Sequence, residues 1–183
     1  MKDTLIVIPA RFGSTRFPGK PLVDIWGKSM IRRVYEQCQK VEGCEAMVAT
    51  DDQRIFQDIK GFGGRVQMTS SHHRTGTERV VELAKRATGY NFIINVQGDE
   101  PYISPKEIAK IRKLLQEKAP IATLVKRLQD LQQIQNPNTV KAVLGKEKEV
   151  LYFSRSPIPY PRNPLEESPY FQHVGIYGFK REV

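Results

Sequence analysis

Residues 4–20, TLIVIPARFGSTRFPGK, join a nearly continuous apolar run to a basic loop that contains two glycines. An uninterrupted apolar run of this length is typical of a parallel β-strand that is covered on both faces. Ligands of open α/β sheets bind at the carboxyl ends of such strands. The loop therefore lies where a phosphate-binding site is expected, and the kind of loop bears directly on function.

The loop matches neither of the two common phosphate-binding motifs. A Walker A loop has four residues between its glycines and a Ser or Thr after its lysine. Here Gly13 and Gly19 enclose five residues, and Pro21 follows Lys20. A Rossmann loop needs a third glycine at the start of a helix, and the sequence has none at that offset.

The charges of the loop nevertheless favour a triphosphate ligand. Arg11, Arg16 and Lys20 place three cations within ten residues of the strand end. Gly13 and Ser14 can offer backbone N–H groups to phosphate oxygens. A solvated basic loop is the alternative, but this density of charge at a strand end favours the triphosphate site.

Composition narrows the function classes. The chain of 183 residues suffices for one globular domain, and no apolar stretch approaches the ~20 residues of a membrane span. Without a signal-peptide pattern, Cys38 and Cys44 are expected to be free thiols in the cytoplasm. The net charge of +9 calls for an anionic partner. Because the basic residues are dispersed, a small polyanion is favoured over nucleic acid.

Apolar runs and amphipathic segments alternate over the first two thirds of the chain. The strand-like runs are 4–10, 45–50, 65–69 and 91–96, and the helical patterns occupy 28–40, 75–87 and 104–118. Ser104, Pro105 and Glu107 mark one helix start, and Thr75 with Glu78 has capping-box spacing. The alternation predicts a three-layer α/β/α sandwich with a mostly parallel sheet.

The pattern changes after about residue 120. The strand-like segments TVKAVL (139–144), EVLYFS (149–154) and HVGIYGF (173–179) are separated by proline-rich connectors. The longest connector, residues 154–170, has five prolines, which exclude a helix or a central strand. This connector is predicted to form an extended β/proline-rich arm.

Seven motifs in order resemble those of the 3-deoxy-manno-octulosonate (KDO) cytidylyltransferases, also called CMP-KDO synthetases. They are IPARFGSTRFPGKPL (8–22), VATDD (48–52), TSSHHRTGTERV (69–80), NVQGDEP (95–101), NPNTVKAV (136–143), YFSRSPIPYPR (152–162) and HVGIYGF (173–179). The resemblance covers essentially the whole chain. It implies a cytoplasmic, Mg²⁺-dependent homodimer of the nucleotide-diphospho-sugar transferase fold that makes CMP-KDO from CTP and KDO for lipopolysaccharide biosynthesis.

The resemblance also implies the nucleotide contacts. Those to the triphosphate are Arg11, Ser14 and Lys20, and those to cytosine and ribose are Thr75, Gly76 and Arg79. The chain has TGTER where the family commonly has Ser-Gly-Thr-Asp-Arg, so Glu78 keeps the charge of the usual aspartate. The HHR triplet at 72–74 departs from the usual His-Pro pair.

Asp99 is the expected metal ligand, and with Arg11 and Lys20 it forms the expected catalytic set. It follows a strand-like run and Gly98, where a carboxylate is well placed to hold magnesium against phosphate oxygens. Asp51 and Asp52 are instead expected to end a strand and cap a helix. The histidines lack a third ligand at a useful spacing, so zinc is not expected.

Sugar contacts are expected from four residues that the resemblance indicates, namely Gln97, Lys141, Arg162 and His173. Arg155 is a second candidate for the fork-like cation that a sugar carboxylate needs. Each residue also has a purely structural interpretation. Gln97 could be an exposed amide at a strand end and Lys141 an edge-strand lysine. The arginines could be exposed loop residues, and His173 could be a core histidine.

These inferences predict one nucleotidyltransferase domain over 1–183, with a nucleotide-binding part (1–120) and a sugar-binding and dimerisation part (121–183) that lacks the C-terminal helices of the family. Those helices include a second metal-binding aspartate, so we expect these residues alone to be poorly active. The alternatives are a cytidylyltransferase for amino-KDO or a sialic-acid-like sugar, a sugar-1-phosphate nucleotidyltransferase, an inactive nucleotide-binding fragment, or a nucleic-acid-binding protein.

Overall fold

The computed structural model describes residues 2–13, 17–117, 119–160 and 170–183. The chain divides into two compact units, of which the first comprises residues 1–122 and 176–183 and the second comprises residues 123–175. The chain passes between the units within one strand near residue 122 and within the last strand near residue 175.

The first unit alternates strands with helices. Its strands are β1 (Thr4–Ala10), β2 (Asp24–Ile25), β3 (Lys28–Ser29), β4 (Cys44–Thr50), β5 (Val66–Met68) and β6 (Phe92–Asn95). Its helices are α1 (Met30–Gln39), α2 (Gln53–Gly61), α3 (Gly76–Arg86) and α4 (Pro105–Glu117), with a single 3₁₀ turn at Lys20–Leu22. Every strand and helix expected from the sequence over residues 4–118 is present, with bounds that differ by a few residues.

The sheet of the first unit is mostly parallel. Its strand order is β5-β4-β1-β6, and each of these three pairs is parallel. The end of the last strand, Tyr177–Lys180, runs antiparallel to β6. The predicted mostly parallel sheet is thereby confirmed, with the antiparallel last strand making it mixed.

Helices cover both faces of this sheet. Helix α3 packs on β1, β4 and β6 around a buried cluster that includes Leu5, Val7 and Leu83. Helices α1, α2 and α4 contact one another and cover the opposite face, toward which the fully buried Ile6 and Ile8 point because side chains alternate along a strand. This arrangement confirms the three predicted layers.

The sequence analysis did not predict the short hairpin of β2 and β3. Its turn places Trp26 and Gly27 at φ values of 55° and 76°, and the Gly27 N–H donates to Asp24 Oδ1 at 3.1 Å. Arg33 of α1 holds the turn by donating to the carbonyl oxygens of Ile25 and Trp26. A tryptophan in the left-handed region is not a usual turn signal, so the pattern was not visible in the sequence.

The second unit consists of β7 (Ile121–Arg127), α5 (Leu131–Gln135), β8 (Lys141–Leu144), β9 (Val150–Ser154) and β10 (Phe171–Lys180), of which β7 and β10 extend into the first unit. Strand β8 pairs antiparallel with β9 and with the start of β10. The three strands expected after residue 120 are confirmed, whereas β7 and α5 were not predicted. Of the expected proline-rich arm, residues 161–169 lie outside the described residues.

Among the residues described, no helix has the length and apolar character needed to cross a membrane. Cys38 and Cys44 are free and buried, as expected for structural thiols. Burial raises the pKa of Cys44 to about 11 and raises that of Cys38 further, so neither thiol is an activated nucleophile.

Candidate active site

A cleft of about 180 Å³ lies in the first unit where β1 and β6 end. It is lined by the end of β1, the 3₁₀ turn, the start of α3 and the segment after β6. Seven residues predicted from the sequence line it, namely Arg11, Lys20, Thr75, Gly76, Arg79, Gln97 and Asp99. The position is the one at which parallel α/β sheets bind ligands.

Two glycines let the walls of the cleft approach β1. A Cβ atom on Gly98 would lie 2.8 Å from the Pro9 carbonyl oxygen, and one on Gly76 would lie 3.3 Å from Pro9 Cγ. A side chain at Gly98 would therefore push the following residue, Asp99, away from β1. This close approach is the physical reason for glycine before the acidic pair.

Lys20 and Asp99 meet in the cleft although 79 residues separate them in the chain. The Lys20 Nζ atom donates to Asp99 Oδ2 at 2.7 Å. The base of the basic loop is closed by the Gly19 N–H, which donates to the Phe12 carbonyl at 2.9 Å. Gly19 has φ 74°, and a Cβ there would meet the Phe12 ring at 3.0 Å, so the turn that aims Lys20 requires glycine.

The lining of the cleft suits an anion. Arg11, Lys20 and Arg79 bring three cations, and Asp99 is the one carboxylate among the described lining residues. The Arg11 guanidinium donates to the Arg74 carbonyl oxygen at 3.5 Å, so it reaches across toward the segment before α3. Ser14, the third expected triphosphate contact, lies outside the described residues.

The donor set fits a magnesium ion that is shared with phosphate. No group of three or more His, Cys, Asp or Glu side chains in the described parts of the chain could hold a metal ion by itself. Burial, and then the charge of Asp99, raise the pKa of the neighbouring Glu100. Magnesium takes one or two carboxylates and completes its shell with phosphate oxygens and water, so Asp99 could hold it together with a nucleotide.

Thr75 begins α3 and lines the cleft at the same time. Its Oγ1 accepts the Glu78 N–H at 3.2 Å, which confirms the predicted cap. The Glu78 carboxylate in turn accepts the Arg74 N–H at 2.8 Å. This backbone hydrogen bond is the main cause that lowers the pKa of Glu78.

Arg79 lines the cleft, as predicted, and is held there by the protein. Its side chain is only 3% exposed, and its guanidinium donates to Thr69 Oγ1, to the Ser70 carbonyl at 3.2 Å and to Asp51 Oδ2 at 2.7 Å. These bonds fix the guanidinium, and its contact with the nucleotide stays a prediction. Asp52 caps α2 as expected, whereas the ion pair of Asp51 was not foreseen.

Sequence reasoning also missed Glu82. Its Oε2 accepts the Ser70 N–H at 2.9 Å and contacts His73 Nε2, and His73 lines the cleft. The sequence signal that could have identified Glu82 is its spacing from Glu78. Glu82 lies one helical turn later, on the same side of α3.

In the second unit, Lys141 is fully buried, which departs from the expected sugar contact. Its Nζ donates to the carbonyl oxygens of Asn136, Thr139 and Arg155 at 2.9, 2.8 and 2.8 Å. An ammonium has three N–H donors, so all of them are used by the chain itself. Burial lowers the pKa of Lys141.

His173 is half-buried, with its Nε2 atom 3.0 Å from Thr123 Oγ1 and its ring 4.6 Å from that of Phe153. Burial lowers its pKa, which favours the neutral imidazole. The Arg155 guanidinium donates to the Pro137 carbonyl at 2.8 Å, and Arg162 lies outside the described residues. The sugar contacts of the second unit therefore stay predictions.

An α/β sandwich with a cationic cleft and one carboxylate at its parallel strand ends defines a nucleotide-binding transferase fold. The family model of the cytidylyltransferases matches residues 5–183, and this chain belongs to that family. Over 186 residues it is 46% identical to the 3-deoxy-manno-octulosonate cytidylyltransferase of Escherichia coli, with 100% of this chain and 74% of that protein covered.

Solved structures agree with this family. A structure of CMP:2-keto-3-deoxy-manno-octonic acid synthetase complexed with CTP is 46% identical and has a TM-score of 0.93, with 98% of this chain and 74% of that chain covered. A second structure is that of the 4-diphosphocytidyl-2C-methyl-D-erythritol synthase of Anaerococcus prevotii, which is 15% identical and has a TM-score of 0.63. The match covers 99% of this chain and 71% of that chain, and it shows the same fold.

Proposed function

We propose that this protein is a CTP:3-deoxy-manno-octulosonate cytidylyltransferase, which forms CMP-KDO and pyrophosphate from CTP and KDO. The observation that carries the proposal is the cleft in which Arg11, Lys20 and Asp99 converge, in a chain that is 46% identical throughout to an enzyme of that name. The protein is accordingly a nucleotidyltransferase.

The reaction needs alignment and charge neutralisation more than a protein nucleophile. A hydroxyl oxygen of the sugar attacks the α-phosphorus of CTP, its proton is released, and the bond to the β-phosphate oxygen breaks with its electron pair leaving on pyrophosphate. Arg11 and Lys20 neutralise the triphosphate and hold it in line for attack. Gln97 offers both a donor and an acceptor to the sugar at the same strand end.

Binding of a nucleotide must redistribute the charges of the cleft. The Lys20 ammonium pairs with the Asp99 carboxylate at 2.7 Å. An incoming triphosphate competes for Lys20 and leaves the Asp99 carboxylate available to hold magnesium. Magnesium, when bound, supplies further neutralisation of the phosphate charge.

A homodimer is part of the proposal, and β9 supports it. Among the described residues this strand pairs with β8 alone, and its Leu151 and Tyr152 are 62% and 61% exposed although they point to opposite faces. An edge strand that is apolar on both faces invites a covering partner. A second copy of this chain fits best, in the cytoplasm, where CMP-KDO would serve lipopolysaccharide biosynthesis.

Pyrophosphate release with CTP and KDO, together with the mass of the sugar product, tests the proposed function. We expect release with CTP, little release with ATP or GTP, and a product with the mass of CMP-KDO. Thermal stabilisation by CTP alone checks nucleotide binding even where turnover is slow. Product only with an amino-KDO or sialic-acid-like sugar would reassign the sugar, and equal stabilisation by all nucleotides would contradict the proposal.

A further inference from the structure

The segment of residues 69–75 forms one wall of the cleft, and we call it the wall segment. It contributes His73 and Thr75 to the lining. The wall segment belongs to no helix or strand, although its Thr69 N–H donates to the Thr50 carbonyl of β4 at 2.8 Å. Three side chains of α3, those of Glu78, Arg79 and Glu82, contact it further along.

Glu82 joins two parts of the wall segment, Ser70 and His73. One carboxylate oxygen accepts the Ser70 N–H at 2.9 Å and meets His73 Nε2, while the other pairs with Arg86 at 2.5 Å. The Glu82 side chain is only 16% exposed. The Ser70 N–H is the main cause that lowers the pKa of Glu82, followed by the hydrogen bond with His73.

His73 lies between two carboxylates of α3. Its Nδ1 is 3.7 Å from Glu78 Oε2, and its Nε2 contacts Glu82. Both ring nitrogens therefore face protein carboxylates, and the orientation of the ring in the cleft is set from the helix. Glu78 also accepts the Arg74 N–H, but that carboxylate is 49% exposed, so Glu82 is the more enclosed anchor.

We infer that Glu82 is a positioning residue for the nucleotide, because it fixes Ser70 and His73 and thereby the wall that the nucleotide meets. The inference rests on the proposed function in that the ligand of the cleft is CTP. Glu82 does not line the cleft, so it acts through His73 and the wall segment. It should govern nucleotide affinity and leave the chemical step nearly unchanged.

Glu36 of α1 provides a matched control. Its carboxylate also accepts from two cations, Lys28 at 2.8 Å and Arg32 at 2.9 Å, and it lies outside the cleft lining. Glu36→Ala should therefore remove a comparable helix ion-pair cluster without disturbing the wall segment. Glu82→Gln keeps an acceptor for the Ser70 N–H and serves as the conservative variant.

Hydrogen exchange of the ligand-free protein tests the anchor itself. In Glu82→Ala the amide hydrogens of Ser70 and of its neighbours through residue 75 should exchange with solvent about tenfold faster than in the wild type. The reason is that the variant lacks the side-chain acceptor of the Ser70 N–H. Glu82→Gln should restore most of the protection, and Glu36→Ala should leave it at the wild-type level. Unchanged exchange in Glu82→Ala would overturn the inference.

Titration with CTP tests the consequence. Glu82→Ala should raise the Kd and KM for CTP about five- to tenfold with kcat changed less than about twofold. If Glu82→Ala loses kcat at an unchanged KM, or binds CTP with the same Kd as Glu36→Ala, the inference that Glu82 positions the nucleotide is overturned. Absence of CTP binding by the wild type would contradict the proposed function instead, and the exchange measurement would still decide the anchoring role of Glu82.

Discussion

Lys20 and Lys141, one in each unit, contrast a lysine that we propose to bind the nucleotide with a lysine that the fold itself uses. Lys20 is 38% exposed and pairs with one carboxylate, Asp99, that is itself 50% exposed. Lys141 is 0% exposed, and its ammonium donates hydrogen bonds to three backbone carbonyl oxygens. A nucleotide phosphate can displace the partner of Lys20, whereas no ligand can replace three carbonyls without unfolding their loops.

The comparison also explains why composition alone is a weak guide to the site. Both lysines lie in motifs that resemble those of the cytidylyltransferases, and both were expected to touch a substrate. Their environments separate them, because an exposed ion pair contributes only about 0–1 kcal/mol and is easily exchanged. A buried ammonium that loses its acceptors would be costly.

Asp99→Asn should give the largest effect on the cleft side of this comparison. The carboxylate is half-exposed, so the fold should be retained, while pyrophosphate release should fall by about 100-fold or more because the proposed metal ligand is removed. Asp52→Asn is the control, since asparagine also caps a helix and Asp52 caps α2. Turnover of Asp99→Asn within about threefold of the wild type would break the assignment.

Lys141→Met should give the next largest effect, on stability. Three buried carbonyl oxygens would lose their donor, which we expect to lower the free energy of unfolding by about 2 kcal/mol or more. Urea denaturation followed by circular dichroism measures this change. The apolar chain of methionine keeps most of the volume, so a change below about 0.5 kcal/mol would mean that the three hydrogen bonds contribute little.

Lys20→Met should show the opposite behaviour. Stability should change by less than about 1 kcal/mol, since an exposed ion pair is lost. Removing its positive charge should also leave Asp99 unpaired and strengthen weak Mn²⁺ binding several-fold, as measured by paramagnetic broadening of the Gly98 and Asp99 amide signals. Arg11→Met is the control, because it removes a cleft cation that does not contact Asp99; equal strengthening in both variants would argue against the specific pair.

The smallest effect concerns the pH dependence of the second unit. Burial lowers the pKa of His173 below its ordinary value of 6.5. The unfolded chain then binds more protons than the folded chain, so stability rises with pH and is lost as the pH falls from about 6.5 through the folded value. Between pH 7.5 and pH 5, the free energy of unfolding of His173→Gln should fall by up to about 1 kcal/mol less than that of the wild type. Urea denaturation at the two pH values measures the difference. His72→Gln, at an exposed position, is the control variant.

Local patterns predicted most of the fold. Strand β1 and helix α4 were visible in the sequence because an apolar run and a Ser-Pro-x-Glu start depend on neighbouring residues only. Strand β7 was missed because only one of its seven residues is buried, so its alternation of apolar and polar residues is weak. Helix α5 was missed because it has five residues, too few to show a helical period.

The candidate site was predictable in part for the same reason. Lys20 and Asp99 were identified because each lies in a motif at a strand end. The bonds of Arg79 with Asp51 and of Glu82 with His73 join groups that come together only after α3 packs on the sheet. The carbonyls around Lys141 come from two separate loops, so alternation along β8 could not reveal its burial.

Calorimetric titration of CTP into the wild type, Lys20→Met and Lys141→Met, at a temperature where all three are folded, tests the central claim most directly. The account predicts that the wild type and Lys141→Met bind CTP with Kd values within about twofold of each other. Lys20→Met should bind it about tenfold or more weakly, because a phosphate contact is lost. Equal weakening in the two variants, or undiminished binding by Lys20→Met, would contradict it.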